Sequence, residues 1–245
     1  MRVGFRCRQQ IFLLLVLLPL WMASFLTSST LLAETGSDRS TPLRIMPLGD
    51  SITEAQGGYA SYRYWLWHKL KDAQLAIDFV GTREGVYRGK PRFSDFDADH
   101  EGRWGWRTDQ VLQKLRVWAE KERPDLALVH LGSNDFFQGE SIESITKELG
   151  QVVDDLRQVN PKITILLAEI IPFQDSPPRL VRLNQAIKKL CQEKDRPGSP
   201  VRCVEQWRDF EPGRDTYDGV HPNESGERKM AEKWFAAIME VQNGW

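Results

Sequence analysis

Beyond residue 42 the chain alternates between two kinds of pattern. Short uninterrupted apolar runs predict strands over 43–48, 77–80, 126–131, 163–171 and 201–204. Between them, apolar positions recur every three or four residues, which predicts helices over 62–73, 108–122, 141–159, 178–191 and 225–241. In the second of these helices Val111, Leu112, Leu115 and Trp118 share one face, and Pro124 stands just past its end. Gly49, Gly81 and Gly132 close three of the strands, and Pro161 and Pro172 punctuate the chain further on. The strands are apolar without alternation, as expected when helices cover both faces of a sheet.

Strands alternating with helices imply parallel pairing through right-handed crossovers. The predicted fold is therefore α/β: a three-layer α/β/α sandwich with about five parallel strands, flavodoxin-like in arrangement, in one domain over 43–245. One stretch has no period. Residues 82–106 are rich in Gly, Arg, Asp and aromatics, and a loop of that length in a compact domain is usually functional.

The first 33 residues read differently. Arg2, Arg6 and Arg8 precede an apolar run over 11–26, followed by small polar residues and Ala33. That order predicts a secretory signal over 1–33, with an uncleaved N-terminal anchor as the alternative, and a polar tether over 34–42. The expected location is secreted or extracytoplasmic, with a possible membrane tether through the N-terminus. The formal net charge of the whole chain is −1. The 1–33 segment holds three arginines and no acid, so the remainder carries 30 basic against 34 acidic residues, a charge of −4. That balance argues against nucleic acid as a partner, since phosphate neutralisation needs a basic face. Cys191 and Cys203 are the two cysteines outside the segment, and an oxidising compartment permits a bridge between them. Their spacing is not that of a metal site, and the four histidines are scattered; no metal or cofactor is expected.

In open α/β sheets ligands sit beyond the carboxyl ends of the strands. Three polar segments fall there: Gly49-Asp50-Ser51-Ile52-Thr53, Gly132-Ser133-Asn134-Asp135 and Asp218-Gly219-Val220-His221-Pro222-Asn223. A serine hydroxyl needs a base to become a nucleophile. His221 can be that base, and Asp218, three residues earlier, can hold its Nδ1–H and fix the tautomer. Oxyanion donors are available from the Ser51 backbone N–H, the Gly105 backbone N–H and the Asn134 side chain. Each fragment alone also fits a bland reading, a helix cap or a turn. Together, their chain order is Ser, Gly, Asn, Asp-His.

On those residues the chain resembles the SGNH subgroup of the GDSL esterase/lipase superfamily. Gly49–Thr53 resembles the first block, with Ser51 as nucleophile. His100-Glu101-Gly102-Arg103-Trp104-Gly105-Trp106 resembles the second, with Gly105 as oxyanion glycine and Gly102 as the alternative. GSND at 132–135 resembles the third, with Asn134 as donor, and DGVHPN at 218–223 the fifth. The runs MPLGDSIT at 46–53, DFVGT at 78–82 and DHEG at 99–102 narrow the likeness to acetylxylan esterases of carbohydrate esterase family three. Arg103-Trp104 departs from that pattern as a bulkier pair. The resemblance implies an exported serine esterase working through an acyl-enzyme, deacetylating carbohydrate. A lysophospholipase or other acyl-lipid esterase, and a carbohydrate-binding protein on the same frame, are the competing readings. Substrate contacts are expected from Asp50, Trp104 and Trp106, with Asp50 also orienting its loop through backbone N–H groups. Tyr59, Tyr62, Phe136, Phe137 and Phe173 lie near the same edge. Of the other histidines, His130 is expected in the core, His68 in a structural role on a helix, and His100 in a loop, where it is not the base.

Overall fold

The computed structural model describes residues 41–243. The expected signal segment, and the tether as far as residue 40, lie outside the described residues. Elements follow in the order β1 (Leu43–Gly49), α1 (Ser51–Glu54), α2 (Ser61–Asp72), β2 (Ile77–Phe79), β3 (Arg83–Glu84), β4 (Asp99–Gly102), α3 (Thr108–Glu122) and β5 (Leu126–His130). Then come α4 (Ser133–Phe137), α5 (Ile142–Val159), β6 (Thr164–Glu169), α6 (Pro178–Lys194), β7 (Val201–Glu205), α7 (Pro212–Asp215) and α8 (Glu224–Asn243).

Parallel strands make the centre of the sheet. β5 runs along one edge of β1, then β6, then β7. On the other edge of β1, β2 pairs the first half (Ile45 opposite Phe79) and β4 the second (Leu48 opposite Glu101). Two short strands thus share one position, and the five expected parallel positions are filled. β3 adds an antiparallel edge on β4.

The alternation of side chains along each strand sorts the core into two layers. Met46, Leu48, Ala127, Val129, Ile165 and Leu167 pack with α3, α5 and α6 on one face. Ile45, Leu126, Leu128, Leu166 and Ala168 pack with α2 and α8, around the buried Trp234, on the other. Cys191 at the end of α6 and Cys203 in β7 are joined by a disulfide with Cα atoms 5.7 Å apart.

The structure departs from the expected pattern chiefly in the aperiodic stretch. It holds β3 and β4, whose residues carry no apolar signal. Glu101 and His100 are both fully buried there, made tolerable by hydrogen bonds. Glu101 accepts from the Thr82 N–H at 2.8 Å, and His100 Nδ1 accepts from the Gly102 N–H at 2.9 Å.

Candidate active site

β1 runs straight into α1 through Gly49. A Cβ there would stand 2.7 Å from the His130 carbonyl, so only glycine lets the turn close against β5. Asp50 caps α1, its Oδ1 accepting the Ile52 N–H at 3.0 Å. Ser51 follows as the first helical residue, 6% exposed at the floor of a cleft.

The loop before α8 brings the histidine. Asp218 Oδ1 accepts the backbone N–H groups of Val220 (3.0 Å) and His221 (2.8 Å), closing a tight turn. Its Oδ2 is 2.7 Å from His221 Nδ1. Burial pushes the Asp218 carboxyl up, but the His221 backbone and ring and the Val220 N–H outweigh it, so it sits below the usual range. With the imidazole proton on Nδ1, facing that carboxylate, Nε2 accepts the Ser51 hydroxyl at 3.0 Å. Asn223 anchors the same loop, its amide donating to the Arg214 and Thr216 carbonyls and its Oδ1 accepting the Ser225 N–H.

Ser51, Trp104, Gly105, Asn134, Val220 and His221 line one cleft of about 290 Å³ with Phe137 at its rim. Two larger grooves, of about 610 and 450 Å³, lie at the opposite end of the strands and hold none of these residues. Gly105 is exposed, with φ +77°, a conformation that suits glycine. The alternative, Gly102, gives its N–H to His100 Nδ1, and a Cβ there would meet the Glu54 backbone nitrogen at 2.7 Å. Gly105, not Gly102, is therefore the glycine of the cleft. The Asn134 amide is aimed by the Trp106 carbonyl (2.9 Å) and more loosely by Asp50 Oδ2 (3.4 Å).

Two expected substrate contacts are corrected. Asp50 is fully buried and its oxygens are engaged with Ile52 and Asn134, so it positions its neighbours and touches no substrate. The Trp106 ring packs against the core and lies 6.0 Å from that of Trp118; only its carbonyl serves the site. Trp104 does line the cleft. Its ring stacks on His221 at 4.6 Å between centroids. Of the nearby aromatics, Tyr62 and Phe136 are buried in the core and Phe137 is exposed. His130 is buried, its pKa pushed down to about 4 by desolvation. His100 is buried as well, its pKa driven well down by desolvation, and it has no access to the cleft. His68, on α2, sits beside Asp95 of the loop between β3 and β4.

Sequence reasoning missed the residues that hold the second loop. Glu54, buried one turn after Ser51, accepts the Trp104 N–H at 2.6 Å and pairs with Arg83 at 2.7 Å. Asp135 reaches 27 residues back to accept the Thr108 N–H at the start of α3. Carboxylate oxygens of Asp135, Glu140 and Glu148 approach within 4.8 Å of one another. Asp135 is engaged with Thr108, Glu140 pairs with Arg107 at 3.1 Å and Glu148 accepts from the Ser144 hydroxyl at 3.3 Å, so the chain's own donors reach all three.

Residues 48–229 match the GDSL-like Lipase/Acylhydrolase family. Among solved structures, a carbohydrate esterase family 3 from Talaromyces cellulolyticus aligns with a TM-score of 0.75 at 28% identity, over 83% of this chain and 99% of that one. A family 3 carbohydrate esterase of Clostridium thermocellum aligns with a TM-score of 0.73 at 30% identity, over 83% and 98%. A multidomain esterase of Ruminococcus flavefaciens is 26% identical over 82% of this chain, which spans only 29% of that protein's length.

Proposed function

The chain belongs to the GDSL-like lipase/acylhydrolase family, and from the geometry of its cleft we propose that it is a serine esterase that deacetylates carbohydrate, exported through the arginine-led apolar segment over 1–33. The observation that carries this reading is the relay from Asp218 through His221 to Ser51, with links of 2.7 and 3.0 Å, opening into a cleft.

The chemistry follows from the atoms. His221 Nε2 takes the Ser51 proton as Oγ bonds to the ester carbonyl carbon. The negative charge on the carbonyl oxygen is met by the N–H groups of Ser51 and Gly105 and by the Asn134 amide hydrogen, which turns to it from its loose 3.4 Å contact with Asp50; all three residues border the same space. Collapse breaks the carbon–alkoxy bond, and His221 gives its proton to the leaving sugar hydroxyl. Water, deprotonated by His221, then attacks the acyl-enzyme carbon; the bond to Ser51 Oγ breaks, His221 returns its proton to Oγ, and acetic acid leaves and ionises to acetate. Asp218 keeps the imidazole in the productive tautomer and stabilises its cation throughout.

The substrate class rests on three supports. The family 3 carbohydrate esterases align over nearly their whole length. The cleft of about 290 Å³ is small, and Trp104 stands beside the Gly105 donor. Small acyl groups fit that space better than long chains do.

Labelling with a fluorophosphonate probe should modify Ser51, and Ser51→Ala should lower turnover of 4-nitrophenyl acetate by several orders of magnitude with the fold intact. Rates should fall steeply from acetyl to hexanoyl esters, since each methylene in a close-fitting pocket is worth about 1–3 kcal/mol. Labelling at another serine would overturn the nucleophile. Octanoyl esters outrunning acetyl would move the substrate to lipids.

A further inference from the structure

Five aromatic rings stack in succession through the site: Tyr59, Tyr217, His221, Trp104 and Tyr87. Tyr59 lies on Tyr217 with centroids 4.1 Å apart. Tyr217 lies 5.7 Å from the His221 ring at 15° between planes. Trp104 lies 4.6 Å from it at 17°, and Tyr87 is 4.7 Å from Trp104 at 16°. The relay itself requires only His221 of these rings, and a core would not demand that the other four run parallel to it.

The loops that carry these rings are each pinned by backbone or side-chain hydrogen bonds. Trp104 is fixed by Glu54 through its N–H. Tyr87 exchanges backbone hydrogen bonds with the segment after α1, its N–H donating to Ala55 at 2.9 Å and its carbonyl accepting from Gly57 at 2.9 Å. Tyr217 donates its N–H to the His221 carbonyl at 3.0 Å. The stack thus ties the loop over 82–106, the end of α1 and the loop before α8 to the imidazole.

We propose that Trp104 and Tyr217 are positioning residues for His221, their ring faces holding the imidazole in the plane joining Asp218 to Ser51 and stabilising the imidazolium formed as Ser51 attacks. A cation over an indole or phenol face within about 6 Å is attracted by the ring quadrupole. Both centroid distances fall inside that range. The same contacts deny the ring its rotation out of plane, so the hydrogen bond at each nitrogen stays aligned. Trp104 spends its faces on His221 and Tyr87, which leaves its edge, not its face, for a sugar. The inference rests on His221 being the base proposed above.

Sign and competing groups follow from the surroundings. Because the attraction exists only once the imidazole is charged, removing a ring raises the barrier to attack and leaves substrate binding alone. The titratable groups that face the same region are Asp218 on Nδ1, Asp50 beneath Ser51, and Glu227 of α8, which borders the small space shared by Tyr59, Tyr217 and His221.

The test uses the full chain, 4-nitrophenyl acetate and kcat and KM measured separately. Trp104→Leu and Tyr217→Leu should each lower kcat roughly five- to tenfold, with little change in KM. Trp104→Phe should recover most of that loss, and Tyr217→Leu carries the test if Trp104→Leu does not fold. The loss should persist when Glu227→Gln is added, which separates it from that neighbouring carboxyl. Folded Leu variants with unmoved kcat would overturn the proposal. So would a rise confined to KM for an acetylated oligosaccharide, which would make Trp104 a sugar contact. Ser51→Ala turning over at the native rate would sink the underlying reading instead. An inactive Ser51→Ala beside unmoved Leu variants sinks the stack alone.

Discussion

Asp50 is a carboxyl group with no access to water, placed one residue before the serine of the cleft. Burial, with some help from the charge of Asp135, pushes its pKa up to about 7 against the pull of the Ile52 N–H. The folded value lies above the ordinary 3.8, so protonation favours the fold. The cost of burying the charge is therefore absent well below pH 4 and grows as pH rises through about 7. Asp50→Asn keeps an acceptor for the Ile52 N–H and removes the charge. Its stability relative to the native chain should improve between pH 4 and pH 8, by an amount on the order of 2–4 kcal/mol. Thermal unfolding of both proteins across that range checks it. A difference that stays flat with pH would mean that Asp50 ionises at its ordinary value. The arrangement has a use despite its cost: Asp50 fixes Ser51 from the helix side and Asn134 from across the sheet.

At the scale of elements, the loop over 82–106 is where pattern and structure part. Its strands β3 and β4 have two and four residues, and α1 and α4 have four and five, all too short for a period to register. The long elements were legible because each buries a stripe or a run. Ser51, Asn134, Asp218 and His221 were legible because the ends of those strands could be placed first. Glu54, Tyr87 and Tyr217 were not, since their importance depends on loop paths that no periodicity encodes. Arg63 on α2 is the clearest case. It is fully buried, and it donates to the carbonyls of Thr53 and Glu54 at the end of α1 and of Gly85 and Ala98 in the loop. Burial lowers its pKa to about 10, so it is still cationic at neutral pH. One side chain thereby joins the helix bearing Ser51 to the loop bearing Gly105. Arg63→Met should leave those carbonyls without a donor and cost at least about 3 kcal/mol. Hydrogen exchange should rise over 82–104 more than in β5 or β6. Equal acceleration everywhere would show that Arg63 supports only global stability.

The whole molecule is asymmetric along its strands. The cleft lies beyond their carboxyl ends, while the disulfide joins α6 to β7, the strand at one edge of the sheet. Cys191 and Cys203 are 12 positions apart, and closing a loop of that size restricts the unfolded chain by about 3 kcal/mol in the chain-entropy model. None of the cleft residues touches the bridge, so its removal should act on stability and not on chemistry. In the double variant Cys191→Ser, Cys203→Ser, the midpoint of urea unfolding should fall by the equivalent of about 3 kcal/mol, with kcat at low temperature unchanged. A bridge of this kind persists in an oxidising compartment, which is where the arginine-led apolar segment over 1–33 would deliver the chain. We therefore propose that export and oxidation go together, and one measurement reads both. Intact mass of the exported protein, alkylated without reduction, should show cleavage near Ala33 and no alkyl group on either cysteine. Two alkyl groups on a cleaved chain would separate export from the bridge. An uncleaved chain in the membrane fraction, still unalkylated, would keep the bridge and make 1–33 an anchor that holds the esterase at a surface.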